Sequence, residues 1–174
     1  MDLHLRLHHW EGRQPNVGAA AVAGFAAGAV LMVIELAWAA FAGGDAPWRT
    51  AQLVAALMLG PADTLYGSPD VFDPGIVGVA LLTHYLLGTG FGLLLGAVVA
   101  GYRIDERPVA VLVVGALLGL LLYGINFYAF TNAFPWFVEL RGWRTLGAHL
   151  VFGTSAGLLY VKLAALRRGE APGT

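Results

Sequence analysis

Long apolar stretches, broken by short polar turns, account for most of the chain. Four of them, at about 18–41, 75–101, 109–134 and 145–166, exceed the roughly 18 residues that mark a membrane span. Between the first and second lies a shorter pattern at about 48–59. Asp45-Ala46-Pro47 supplies its start signal, and Gly60-Pro61 stops it. Its apolar part, Leu53 to Leu59, is too short to cross a bilayer and belongs in the interface or dips back into the bundle. Asp73-Pro74 opens the second long run. Arg103, Asp105, Glu106 and Arg107 make a tight polar turn before Pro108, which opens the third, and Pro135 closes it. Glu139, Arg141 and Arg144 form the next turn, and Arg167-Arg168 end the fourth run. The predicted fold is all-α: a four-transmembrane-helix bundle built from two tandem helical hairpins. One short interfacial helix sits between spans one and two. A single domain covers 18–166, with polar tails at 1–17 and 167–174.

Composition agrees with this pattern. Of 174 residues, 58% are hydrophobic and 12% charged, a balance too apolar for an ordinary soluble domain. The net charge is −1 with no basic block, which argues against a nucleic-acid partner. With no cysteine, disulfides, thiolate metal sites and cysteine nucleophiles are excluded. A metal or haem would need His, Glu, Asp or backbone ligands. Ala37-Trp38-Ala39 has the small-x-small form of a signal-peptide cleavage site. The run before it is long and contains Glu35, so it reads as a retained span.

Charge placement predicts orientation. Arg6, Arg13, Arg103, Arg107, Lys162, Arg167 and Arg168 fall at one end of the bundle, against Arg49, Arg141 and Arg144 at the other. Seven against three favours a multi-pass protein of the inner (plasma) membrane with both termini cytoplasmic. Trp38, Trp48, Trp136 and Trp143 then lie near the outer ends, where an aromatic belt forms. The N-terminal segment carries His4 and His8, which could share a helix face and bind a metal. A loosely ordered tail is the plainer reading.

The two halves of the pattern match. His84, Gly88, Thr89 and Gly92 in span two return with the same spacing as His149, Gly153, Thr154 and Gly157 in span four. Gly24, Gly28 and Glu35 in span one match Gly115, Gly119 and Asn126 in span three. Gly96 extends the glycine ridge of span two. Small residues at four-residue spacing let helices approach closely in lipid. Two hairpins in tandem share an orientation, so the implied pseudo-twofold axis runs along the membrane normal. At ~1.5 Å per residue, Glu35, His84, Asn126 and His149 fall in one layer, roughly 8–15 Å below the outer helix ends. Tyr85, Tyr123 and Tyr128 border it.

A carboxyl group inside a span is costly and normally faces the bundle interior. Glu35 with His84, Asn126 and His149, bordered by Tyr85 and Tyr123, therefore forms a candidate proton or small-solute site. On this reading the chain is a small transport-type or accessory membrane protein, and no cofactor is required. A second reading places haem b between His84 and His149, or a divalent metal on His84, His149 and Glu35, in a redox module. A third is a purely structural subunit, in a homo-oligomer or a larger membrane complex, with these groups as interhelical hydrogen-bond glue. Soluble-enzyme signatures such as H-E-x-x-H, G-x-S-x-G or a phosphate-binding glycine loop do not occur, which weighs against an enzyme.

Three short elements carry a resemblance. They are Thr83-His84-Tyr85 with the glycines after it, Phe134-Pro135-Trp136, and Gly147-Ala148-His149-Leu150-Val151-Phe152-Gly153. They are similar to elements of uncharacterised small bacterial inner-membrane proteins, distantly YagU-like. The resemblance covers the last three spans. It implies a polytopic inner-membrane protein and no particular catalytic residue.

Overall fold

Prolines and short capping side chains set where the helices begin. The computed structural model describes residues 14–42, 48–65 and 71–169. Asn16 precedes α1 (Val17–Ala42), and its Oδ1 accepts from the Ala19 N–H at 3.0 Å. Helix α2 covers Arg49–Leu59 and α3 is one turn, Pro61–Thr64. Helix α4 (Pro74–Gly101) starts as Asp73-Pro74 predicts. The Asp73 carboxylate accepts from the Gly75 and Ile76 N–H groups at 2.8 and 3.1 Å, and proline takes the first helical position, where no N–H is needed. Helix α5 (Pro108–Gly124) also opens on proline, and α6 covers Trp143–Arg167. His4, His8, Asp45 and Pro47 lie outside the described residues.

Four helices are long and apolar enough to cross a membrane, with α2 the shorter apolar helix between the first two. The architecture is all-helical, as the apolar pattern predicts. Outward-facing Leu86, Val113, Leu117 and Leu121 are more than half exposed, which in water would be an unstable surface and in lipid is a solvated one. The chain is accordingly read as a multi-pass membrane protein.

The third span departs from the expected regular helix. After Gly124 it widens into a π-helical turn at Ile125–Ala129 and then tightens into a 3-10 turn at Phe130–Asn132. Residues 135–144, expected to be a short turn, include a 3-10 helix, Pro135–Leu140, with Phe137 buried. Arg141 explains part of this. Its Nε donates to the Phe127 carbonyl inside the π turn, its Nη2 donates to Thr131 Oγ1 at 3.0 Å, and its Cζ stands 4.5 Å over the Tyr128 ring.

Packing is of two kinds. Helix α1 lies against α4 and α6, and α5 lies against α6, through small side chains: Ala19, Ala20, Ala23 and Ala27 are fully buried. Toward the α2 end the core turns aromatic. Leu53 of α2, Tyr123, Phe127 and Phe137 form a separate buried cluster, and the Trp136 indole N–H donates to the Leu53 carbonyl at 3.1 Å. Helix α2 is thereby tied over the bundle, with Gln52, Leu53, Ala55 and Ala56 buried.

Candidate functional site

Glycine decides which backbones can touch, and so where the polar residues end up. A Cβ on Gly24 would overlap the Gly88 carbonyl oxygen and lie 2.7 Å from Gly92 Cα. One on Gly115 would overlap the Gly153 carbonyl oxygen, and one on Gly119 that of His149. Gly96 meets Ala20 and Tyr160, and Gly157 meets Val111. Gly28 has the looser fit: its Cβ would stand 3.6 Å from His84 Nε2. The glycine ridges thus pack within one chain.

These crossings bring Glu35, His84, Asn126 and His149 to the wall of one cavity of about 290 Å³. It lies between α1, α4, α5 and α6. Thr50, Val54 and Leu57 of α2 and residues of the Pro135–Leu140 helix line the same cavity at its capped end.

The two histidines do different work despite their matched motifs. His84 reaches across to α1, its Nε2 2.9 Å from the Gly28 carbonyl oxygen. A carbonyl only accepts, so Nε2 carries the proton there. His149 turns back on its own helix, Nδ1 2.8 Å from the Thr145 carbonyl. Its Nδ1 is therefore the donor, and its Nε2 can accept from the Asn126 amide at 3.4 Å. Asn126 sits in the π turn. Such turns re-aim a side chain relative to a regular helix and are frequent at functional sites.

Glu35 has no hydrogen-bond or ion-pair partner among the described residues. Its side chain lines the central cavity and two more. One, of about 220 Å³, lies between α1, α2 and α4 and is bordered by Met32, Trp48, Thr50 and His84. The other, of about 560 Å³, is bordered by Glu139, Arg141 and Arg144 at the α2 end. Glu139 is half exposed there and paired with Arg49 at 2.8 Å. Arg144 stands 5.0 Å over the Trp38 ring, which meets Trp143 edge-on at 5.2 Å. Glu35 therefore stands at the junction between a polar mouth and the interior.

The tyrosines border the layer without lining the cavity. Tyr85 stacks on Phe25 at 4.4 Å. Tyr123 lies behind His149, ring centroids 6.0 Å apart, and its hydroxyl accepts from the Gly142 N–H. Tyr128 is exposed beneath Arg141. No group of three or more His, Asp or Glu among the described residues could hold one metal ion, so Glu35, His84 and His149 share a cavity without forming a ligand set. With its Nε2 proton committed to the Gly28 carbonyl, His84 has only Nδ1 left to offer a haem iron.

Sequence reasoning missed the other half of the lining. Phe91, Phe127, Phe130, Phe134, Phe137 and Phe152 all face the same cavity. They come from α4, the π and 3-10 segments and α6, with no shared period. The one available signal was the density of aromatic residues between Tyr123 and Phe137. No family model, curated protein or solved structure matches the chain.

Proposed function

We propose that this is a small transport-type or accessory membrane protein that handles protons or a small solute at the Glu35, His84, Asn126 and His149 cavity. The observation that carries the reading is Glu35, a carboxyl group within a membrane span, without a partner among the described residues, shared between the interior cavity and a polar mouth. Intramembrane ionisable groups are rare, and mark solute and proton paths more often than they serve packing. Glu35 would accept and release the proton or hold the solute. His84, anchored through Nε2, would present Nδ1 to the path, and His149, anchored through Nδ1, would present Nε2 beside Asn126. Asn126 would hold His149 in place.

The matched contacts of Gly24 with Gly88 and of Gly115 with Gly153 support descent from one duplicated hairpin. The excess of Lys and Arg at the end that carries both termini supports an inner (plasma) membrane protein with cytoplasmic termini. A homo-oligomer or a larger complex is compatible with the apolar outer surface.

The test is proton flux in proteoliposomes, read with an internal pH-sensitive dye under an imposed potassium diffusion potential. Wild type should carry flux above empty liposomes. Glu35→Gln should abolish it, and His84→Ala or His149→Ala should reduce it. Unchanged flux in folded variants overturns the proposal.

A further inference from the structure

The central cavity also indicates what class of solute it suits, and this inference rests on the reading just given. Six phenylalanines line it: Phe91, Phe127, Phe130, Phe134, Phe137 and Phe152. Phe127 and Phe134 each meet Phe137 edge-on, at 6.0 and 6.3 Å, and Phe130 meets Phe134 at 6.2 Å, so four of the six rings form one connected wall. Ring faces attract cations, most strongly where water is excluded.

The polar groups point the same way. His84 spends its Nε2 proton on the Gly28 carbonyl, and His149 Nε2 faces the Asn126 amide. Glu35 is the ionisable lining group left without a partner among the described residues. Among the described residues, no Lys or Arg lines this cavity. Arg141 and Arg144 border the mouth instead, engaged with Phe127, Thr131 and Tyr128 in one case and over Trp38 in the other. An anion entering the cavity would meet a carboxyl group and ring faces, with no cationic side chain to offset its desolvation. An inorganic cation would need several oxygen ligands, and Glu35 is the single carboxylate on the wall.

We infer that the cavity takes a small organic cation, a protonated amine on an apolar or aromatic body. The ammonium group pairs with the Glu35 carboxylate, and the body packs among the phenylalanine rings. A volume of about 290 Å³ sits at the lower end of the roughly 300–1,000 Å³ of small-molecule pockets, which limits the body to about one ring and a short chain.

The experiment is calorimetric titration of the full chain in lipid nanodiscs, with protein-free nanodiscs subtracted. Three probes of nearly one shape are compared: 2-phenylethylammonium, 2-phenylethanol and phenylacetate. Wild type should prefer the ammonium over the alcohol by at least about tenfold, equal to about 1.4 kcal/mol, and bind phenylacetate least. Glu35→Gln should lose that preference while still binding the alcohol, which also shows that its cavity is intact. Glu35→Asp should restore part of it. Should Glu35→Gln fail to fold, the wild-type ranking of the three probes still decides. Equal binding of ammonium and alcohol, or a preference that survives Glu35→Gln, overturns the inference. The two proposals fail separately. Glu35-dependent proton flux without ammonium preference sinks this one and leaves the functional reading. Glu35-dependent ammonium binding without flux sinks the proton reading and leaves this one.

Discussion

Replacing Gly153 by alanine tests whether backbone contact between α5 and α6 sets the geometry of the site. A Cβ on Gly153 would overlap the Gly115 carbonyl oxygen and lie 2.9 Å from that carbonyl carbon and 3.0 Å from Gly119 N. Carbon atoms pack best at about 3.5–4.0 Å, so the two helices must part by roughly 1 Å. Overpacking of this kind costs about 1–3 kcal/mol. Alanine returns up to about 1 kcal/mol of helix propensity, leaving a net loss of about 0–2 kcal/mol. Gly90 on α4 is the control. It is exposed, and a Cβ there would meet nothing within 4 Å, so Gly90→Ala should gain about 0.5–1 kcal/mol from propensity alone. The gap between the two variants should thus be about 1–3 kcal/mol, in opposite directions. Gly115→Ala strikes the same crossing from the other side, so the double variant should cost less than the sum of its parts by more than about 0.5 kcal/mol. The assay is SDS-induced unfolding in dodecylmaltoside micelles, followed by circular dichroism. Equal shifts for Gly90→Ala and Gly153→Ala, or strict additivity in the double variant, would refute the reasoning.

Two further variants probe the capped end. Asn126→Ala removes the 3.4 Å contact to His149 Nε2 and should cost no more than about 1 kcal/mol in the same unfolding assay, since interhelical hydrogen bonds in membranes are worth about that; a loss beyond roughly 2 kcal/mol would mean that the π turn itself depends on Asn126. Trp136→Phe keeps a ring in the aromatic cluster and deletes the indole N–H bond to the Leu53 carbonyl. At about 1 kcal/mol per bond, amide exchange in α2 should quicken about fivefold by mass spectrometry, and unchanged protection there would show that α2 is held by other contacts.

The long helices were readable in the sequence because lipid imposes a simple rule. A stretch must be apolar and long, and Pro74 and Pro108 mark where two of them start. The convergence of Glu35, His84, Asn126 and His149 on one cavity was also within reach, because depth along a helix follows from counting residues. Azimuth does not. Tyr85 adjoins His84 in sequence yet stacks on Phe25 outside the cavity that His84 lines, since neighbouring residues on a helix point about 100° apart. Nor does counting residues give the bonding partners: His84 takes the Gly28 carbonyl, and His149 takes Thr145 and Asn126. The π turn at Ile125–Ala129 had no sequence signature. Arg141, fourteen residues beyond Phe127, reaches back to a main-chain oxygen inside it, a contact that local sequence does not announce. The Pro135–Leu140 helix was hidden for a related reason, because its burial depends on Leu53 and Trp136 meeting from distant parts of the chain.

One side of the bundle is thinly closed. Helices α4 and α5 make few contacts with each other, and Leu87, which lines the cavity, is 43% exposed. A greasy amine already dissolved in the bilayer would meet that wall sideways, without first passing through the aqueous phase. Occupancy would then follow the mole fraction of the amine in the lipid. Diluting the sample with blank vesicles at constant total amine should weaken apparent binding as strongly as a competitor does.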